Sequence, residues 1–189
     1  ISDVNILKQD KTYVINISQY KIINDVNFKG LKRFKKNNLN LILPFDEYLK
    51  VDDEKQIDKF ILELKELYYS YAYNKINIDY ELQNIDDNQN FTNIQFNINE
   101  GKISKINKIK FIGNSFIKRS KLLDNIKSQQ RNYLKLRIFN NFKYYVVEND
   151  IIRLKKLYLD SGFRDINIES KTEYLESKNK FNIYFYIDE

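Results

Sequence analysis

Apolar and polar positions change period along this chain in a fixed order, and the order occurs twice. Ile22 to Lys29 reads as a strand with Val26 and Phe28 on one face. Lys35 to Leu43 reads as a short helix with Leu39, Ile42 and Leu43 turned inward. The only proline, Pro44, ends it. Asp52-Asp53-Glu54 puts acidic residues where a helix N-terminus favours them. From there Ile57, Phe60, Ile61, Leu64, Leu67 and Tyr68 recur every three or four residues, which predicts an amphipathic helix to about Tyr71. Lys75 to Leu82 alternates, with Ile76, Ile78, Tyr80 and Leu82 on one face. Gln83 to Asn90 is a polar loop. Phe91 to Asn99 alternates again, with Ile94, Phe96 and Ile98 inward.

The second pass follows the same course. Ser104 to Ile112 is a strand, and Ile117 to Ile126 a helix with Leu122, Leu123 and Ile126 inward. Tyr145 to Leu159 is a longer helix through Val147, Ile151, Leu154, Leu157 and Tyr158, which Gly162 is placed to end. Asp165 to Thr172 and Lys180 to Ile187 are strands. The letters repeat as well as the pattern: LYYSYAYNKINI at 67–78 meets LYLDSGFRDINI at 157–168, and NIQFNINE at 93–100 meets NIYFYIDE at 182–189. VNFKGLKRF at 26–34 meets IKFIGNSFI at 109–117, so Gly30 and Gly113 hold matching places after a strand, where a turn with φ > 0 or a close approach is expected. Tyr68 and Tyr158 match in the same way. Self-similarity at this period indicates tandem units.

Each unit is therefore β-α-α-β-β, an α+β fold in which two helices cover one face of a three-stranded mixed sheet. The first strand pairs in parallel with the third, across the helical crossover, and the second lies at an edge. DVNI at 3–6 resembles DINI at 165–168, and Thr12 to Ser18 completes a hairpin. Residues 1–20 are expected to be the closing hairpin of a truncated preceding unit, 21–100 a complete unit, and 101–189 a second complete unit with a longer inter-helix insert. The chain reads as a fragment that begins inside one unit and stops where the first repeat continues with Gly101. The opening hairpin is expected to lean on the next unit or to be the least ordered part, since a lone hairpin is at best marginally stable.

Composition narrows the function classes. Apolar residues make up 42% and aromatics 15% of 189 residues, enough for two small cores led by Tyr and Phe. No run approaches the roughly 18–20 apolar residues of a membrane-spanning helix. There is no Cys, which excludes disulfides and thiolate metal sites, and no His, the commonest proton shuttle. The net charge of +6 would suit nucleic acid. Abundant Lys, Asn, Ile and Tyr explain it as well as a basic face does, and no nucleic-acid partner is expected. Asp86-Asp87 lie in a loop and Asp52-Asp53-Glu54 at a helix start, each with a plain solubility or capping reason. There is no phosphate-binding glycine loop and no nucleophile beside a base. Neither an enzyme nor a cofactor nor a metal site is expected.

An interaction role fits better. An edge strand leaves backbone N–H and C=O groups unpaired, and an extended partner can join it as a new strand. The candidate edges are 75–82, with Lys75, Asn77, Asp79 and Glu81 outward, and 165–172, with Asp165, Asn167 and Glu169 outward. Polar side chains there also guard an edge against aggregation, and both readings hold together. The insert at 128–145 is aromatic and basic. Its Tyr133, Leu134, Leu136, Ile138 and Phe139 either cover the bottom of the core or offer a partner surface.

The order of elements, together with these residues, resembles the POTRA domains that precede the barrel in outer-membrane assembly proteins of the BamA family. The resemblance rests on Phe28-Lys29-Gly30 and Phe111-Ile112-Gly113 before a short helix, on the Leu-Tyr near the end of each long helix, on Gly162-Phe163, and on the Glu100-Gly101 junction. Ala72-Tyr73 departs from the usual Gly-aromatic pair, and Ser18-Gln19 lacks the usual acidic residue and Gly. The resemblance implies the end of a first, a whole second and a whole third POTRA domain at the periplasmic face of the outer membrane. It implies unfolded outer-membrane precursors and accessory lipoproteins as partners, with neighbouring POTRA domains and a C-terminal barrel in the full chain. For the third domain it implies docking of a β-propeller lipoprotein at 165–172 and the neighbouring insert. The alternative within the fold is a two-partner secretion transporter or an organelle import channel.

Overall fold

The computed structural model describes residues 3–9, 12–85, 90–130 and 140–189. Its contacts divide the chain into two compact units, residues 1–66 with 76–100 and residues 67–75 with 101–189.

In the first unit β1 (Asp3–Gln9) and β2 (Thr12–Ser18) form an antiparallel hairpin, with the described side chains of both strands exposed. The main sheet has β3 (Ile22–Lys29), β5 (Phe91–Asn99) and β4 (Asn77–Asn84) in the order β3-β5-β4. β3 is parallel to β5, and β4 antiparallel to it. Three helices follow β3: α1 (Lys36–Ile42), α2 (Phe45–Tyr48) and α3 (Glu54–Ser70). A ring cluster binds the layers. Phe28 of β3 stacks on Phe96 of β5 at 5.4 Å and meets Phe45 of α2 edge-on at 4.9 Å, and Phe60 of α3 lies 5.1 Å from Phe96. Such rings bury much apolar area and favour these offset geometries.

Four details differ from the sequence reading. Pro44 does not close the helical region. It sits just before α2, at a helix entrance where its missing N–H is no loss. Ile42 and Leu82 were expected inward and are exposed, because α1 is short and β4 outruns the helices that cover its beginning. β4 also starts at Asn77, two residues after the expected start. Asp53 caps α3 as expected, its Oδ1 accepting from the Lys55 N–H (3.1 Å), but Asp52 is a tertiary anchor, its Oδ1 accepting from the Lys21 N–H (2.6 Å).

The second unit repeats the plan. β6 (Lys105–Ile112), β8 (Lys180–Asp188) and β7 (Asn167–Leu175) are ordered β6-β8-β7, again parallel then antiparallel. α4 (Arg119–Asn125) and α5 (Tyr144–Asp160) close one face over a core that includes Leu122, Leu154, Ile183 and Phe185. Phe142, just before α5, stacks on Phe181 at 3.8 Å. Residues 67–75 belong to this unit: the Ser104 N–H donates to the Ala72 carbonyl (2.8 Å), and the Asn74 amide donates to the Phe142 carbonyl (3.1 Å). Ala72 has φ 69° where the second repeat has Gly162 at φ 97°, so the departure from glycine is met by a strained alanine.

Candidate functional site

Each sheet has two edges, and local chemistry treats them differently. The first strands are blunted in both units. β3 and β6 carry a register shift at equivalent places, between Ile23 and Asp25 and between Ile106 and Lys108. Bulges of this kind spoil an edge for further pairing. In the first unit the Ile23 N–H donates to the Lys50 carbonyl, and Ile22 bridges to Val51.

In the second unit the sealing goes further. Ile106 N–H donates to the Asn140 carbonyl (2.6 Å), while the Asn140 amide donates back to the Ile106 carbonyl (2.9 Å). Gln130 Oε1 accepts from the Ile109 N–H (3.0 Å), and Arg119 donates to the Ile109 carbonyl (3.1 Å). A side-chain amide, a side-chain carbonyl and a guanidinium thus replace a neighbouring strand.

The second strands have no strand beyond them among the described residues. On β4 the predicted Asn77, Asp79 and Glu81 are exposed, with Asn77 donating to Asp79 (2.7 Å) and Asn97 to Glu81 (2.9 Å). Lys75 precedes the strand, and its ammonium lies over the Tyr174 ring at 4.1 Å within the second unit. On β7 Asn167 and Glu169 are exposed, and Asp165 precedes the strand. They line two depressions. One of about 440 Å³ lies among Arg164, Asp165, Asn167 and Asp188. The other, of about 220 Å³, lies among Ile112, Asn167, Glu169 and Tyr186. Tyr133, Phe139 and Asp86-Asp87 lie outside the described residues.

The outer sheet faces also differ. In the first unit the outward residues of β5 are Asn93, Gln95 and Asn97, and Lys29 stands beside Asn97. In the second unit the corresponding β8 residues are Asn182, Tyr184 and Tyr186, and Ile112 stands beside Tyr186. Glu173 of β7 accepts from the Asn182 amide (2.9 Å) and the Tyr184 hydroxyl (2.8 Å), which together hold its carboxyl below the usual range. The face next to β7 therefore offers apolar and aromatic grip that the face next to β4 lacks.

Two carboxylates fix the ends of the central strands. Glu100 Oε1 accepts from the N–H groups of Lys32 and Arg33, both at 2.7 Å. Glu189 Oε2 accepts from the Ser115 N–H (2.9 Å), the Ser115 hydroxyl (2.5 Å) and the Phe116 N–H (2.8 Å), and its Oε1 accepts from the buried Tyr158 hydroxyl (2.6 Å). Glu100 was legible as a junction residue, but its partners were not. The offset of 83 that aligns Lys32 with Ser115 is the signal that pairs the two anchors. Partial burial opposes ionisation of Glu189. The bonds from Ser115, Tyr158 and Phe116 outweigh it and hold the carboxyl down to about 2. Burial first, then the bond to Glu189, pushes the Tyr158 hydroxyl up. A carboxyl depressed on folding stabilises the fold above its unfolded pKa, and that share is lost as pH falls from about 4.5 towards 2. Ser115→Ala is expected to shrink the loss. Thermal melts of both proteins between pH 5 and 2 check this, since equal slopes would assign the acid sensitivity to other groups.

Among the described residues no cluster of three or more acidic side chains could hold a metal, and no helix is long and apolar enough to cross a membrane. The depression between α2 and α3, about 470 Å³, mixes Glu47 and Glu63 with Lys50 and Lys59 and converges on no reacting point.

Comparison with known proteins places this geometry. The sequence profile of the POTRA family, described as surface antigen variable number repeat, matches residues 21–101 and 104–189. The outer membrane protein assembly factor BamA of Buchnera aphidicola is 26% identical over 197 residues, covering 99% of this chain and 31% of that protein. The chain thus spans about a third of the relative's length. Among solved structures, the crystal structure of Haemophilus influenzae BamA POTRA3-5 superposes with a TM-score of 0.56 at 16% identity, over all of this chain and 72% of that one. POTRA1-2 of Omp85 from Anabaena gives 0.51 at 10% identity, over 89% of this chain and 96% of that one. Matched along both repeats, the chain belongs to the POTRA family, as two consecutive units of it.

Proposed function

We propose that this POTRA pair works at the periplasmic face of the outer membrane and receives extended segments of unfolded outer-membrane protein precursors by strand addition, chiefly along β7. The observation that carries the reading is the contrast within one sheet. The β6 edge is engaged at Ile106 and Ile109 by Asn140, Gln130 and Arg119, whereas among the described residues no strand lies beyond β7, which runs beside a face bearing Ile112, Tyr184 and Tyr186. Main-chain pairing is nearly blind to sequence, which suits a receiver of many clients. β4 is the second acceptor, weaker because its neighbouring face is amide-rich. Docking of accessory lipoproteins belongs to the same reading, on the neighbouring insert.

The test is a backbone-amide NMR titration of the labelled chain with an unstructured peptide copied from an outer-membrane barrel strand, beside a scrambled control. Weak, fast-exchange shifts are expected along 167–175, with smaller ones along 77–84. Still strand amides with shifts at 128–145 would replace precursor binding by accessory-protein docking. Silence everywhere would reduce the pair to a spacer.

A further inference from the structure

The solvent side of α5 carries a row of large apolar side chains that the unit's own packing leaves uncovered. Tyr145 is 47% exposed, Ile152 65% and Leu159 53%. Their spacing of seven residues returns to nearly the same helix azimuth, drifting only about 20° per step. The three therefore form one stripe along the helix, on the side away from Val147, Leu154 and Tyr158. Exposed apolar residues scattered singly need no explanation, but an aligned row does.

The flanking charges say what covers it. Glu148 and Lys155 lie on one flank of the stripe, four residues before Ile152 and three after it, and Asn149 and Lys156 lie on the other flank. If two copies of α5 cross antiparallel with Ile152 at the crossing point, each flank faces the same flank of the second copy, run in the opposite direction. Tyr145 then meets Leu159 of the second copy. Glu148 meets Lys155, twice by symmetry, and Asn149 meets Lys156 without conflict. A parallel crossing would set each flank against the other and bring Lys155 against Lys156, twice by symmetry. The stripe is thus self-complementary in one orientation only, as a two-fold interface requires.

We propose that this face is a self-association surface, on which a second copy of the chain docks α5 against α5, antiparallel about Ile152. One helix pair buries less than the roughly 1,200 Å² of a standard stable interface, so the contact is weak in solution and needs high local concentration to fill.

The chain has no cysteine, which makes the test direct. Ile152→Cys puts one thiol at the predicted crossing, and Leu62→Cys puts one at a comparably exposed site, 60% accessible, in the other unit. Under mild oxidation at high protein concentration, the Ile152→Cys chain is expected to form disulfide-linked dimer well ahead of the Leu62→Cys chain. In sedimentation equilibrium, Lys155→Glu is expected to weaken self-association about tenfold, two facing pairs having turned from attraction to repulsion. Adding Glu148→Lys to it should restore the association. Equal cross-linking of the two thiols, or a charge swap that does not rescue, overturns the proposal. Ile152, Leu62 and Glu148 are exposed and Lys155 is half-buried, so the fold is not at stake.

Discussion

Gly113→Ala is expected to destabilise the second unit by about 3–5 kcal/mol, the sum of a left-handed backbone and an overpacked contact. Gly113 has φ 92°, and a Cβ there would overlap the carbonyl oxygen of Ile187 in β8. That oxygen is backbone in the central strand and cannot swing away as a side-chain tip can. Relief requires β6 and β8 to part at the ladder position beside Phe111 and Phe185, whose rings stack at 5.5 Å in the core. Gly30→Ala repeats the situation in the first unit, where φ is 87° and the obstacle is the Ile98 carbonyl. Gly162→Ala separates the two causes. Its φ is 97°, yet nothing lies within 4 Å of an added Cβ, so only the backbone strain of about 1–2 kcal/mol applies. Urea unfolding followed by far-ultraviolet circular dichroism ranks the three. Equal losses at Gly113 and Gly162 would mean that the β8 carbonyl yields easily.

Asp150→Ala is expected to lose a similar amount, about 3–5 kcal/mol, by a different route. Asp150 lies in the middle of α5 and is fully buried. Its Oδ1 accepts from the Lys127 N–H (2.7 Å) and from Arg153 (2.9 Å), and its Oδ2 accepts from the Ser128 N–H (2.8 Å). The carboxylate thus ties the backbone after α4 onto α5. Alanine would leave the buried Ser128 N–H without an acceptor, at its full desolvation penalty, and the part-buried Lys127 N–H without its partner. Asp150→Asn retains one acceptor oxygen and is expected to lose roughly half as much. If asparagine and alanine prove equal, the charge matters more than the geometry of acceptance.

Asp150 also shows where reading the sequence stops. Val147, Asp150, Leu154 and Tyr158 share one helical face, so a polar residue at a core position was visible in the spacing. The repeat hides it, because an offset of 90 pairs Asp150 with Phe60, a core ring in the first unit. The same layer position is filled by an aromatic in one unit and by a buried carboxylate in the other. What periodicity carries was legible: the β-α-α-β-β order, the parallel first strand, the edge position of β4 and β7, and the inward Ile94, Phe96 and Ile98. Element ends were less so. Pro44 looks the same in sequence as a stop or as an entrance, and Leu82 alternates correctly past the point where helices cover it. The closing of β6 was out of reach, since Asn140, Gln130 and Arg119 meet Ile106 and Ile109 only through tertiary folding.

The closed β6 edge also bears on polymerisation. A sheet open at both sides can be extended indefinitely, each newcomer presenting the next free edge, which is how cross-β fibres grow. In the second unit, a strand that joins β7 finds the far edge already engaged at Ile106 and Ile109 of β6, by Asn140, Gln130 and Arg119. Two such units that met through their β7 strands would satisfy one another and stop. If β7 takes up extended chains as proposed, the unit can be exposed to them at length with less risk of seeding its own fibre. The protection comes from a few hydrogen bonds on the far side of the sheet, not from weakening the β7 edge.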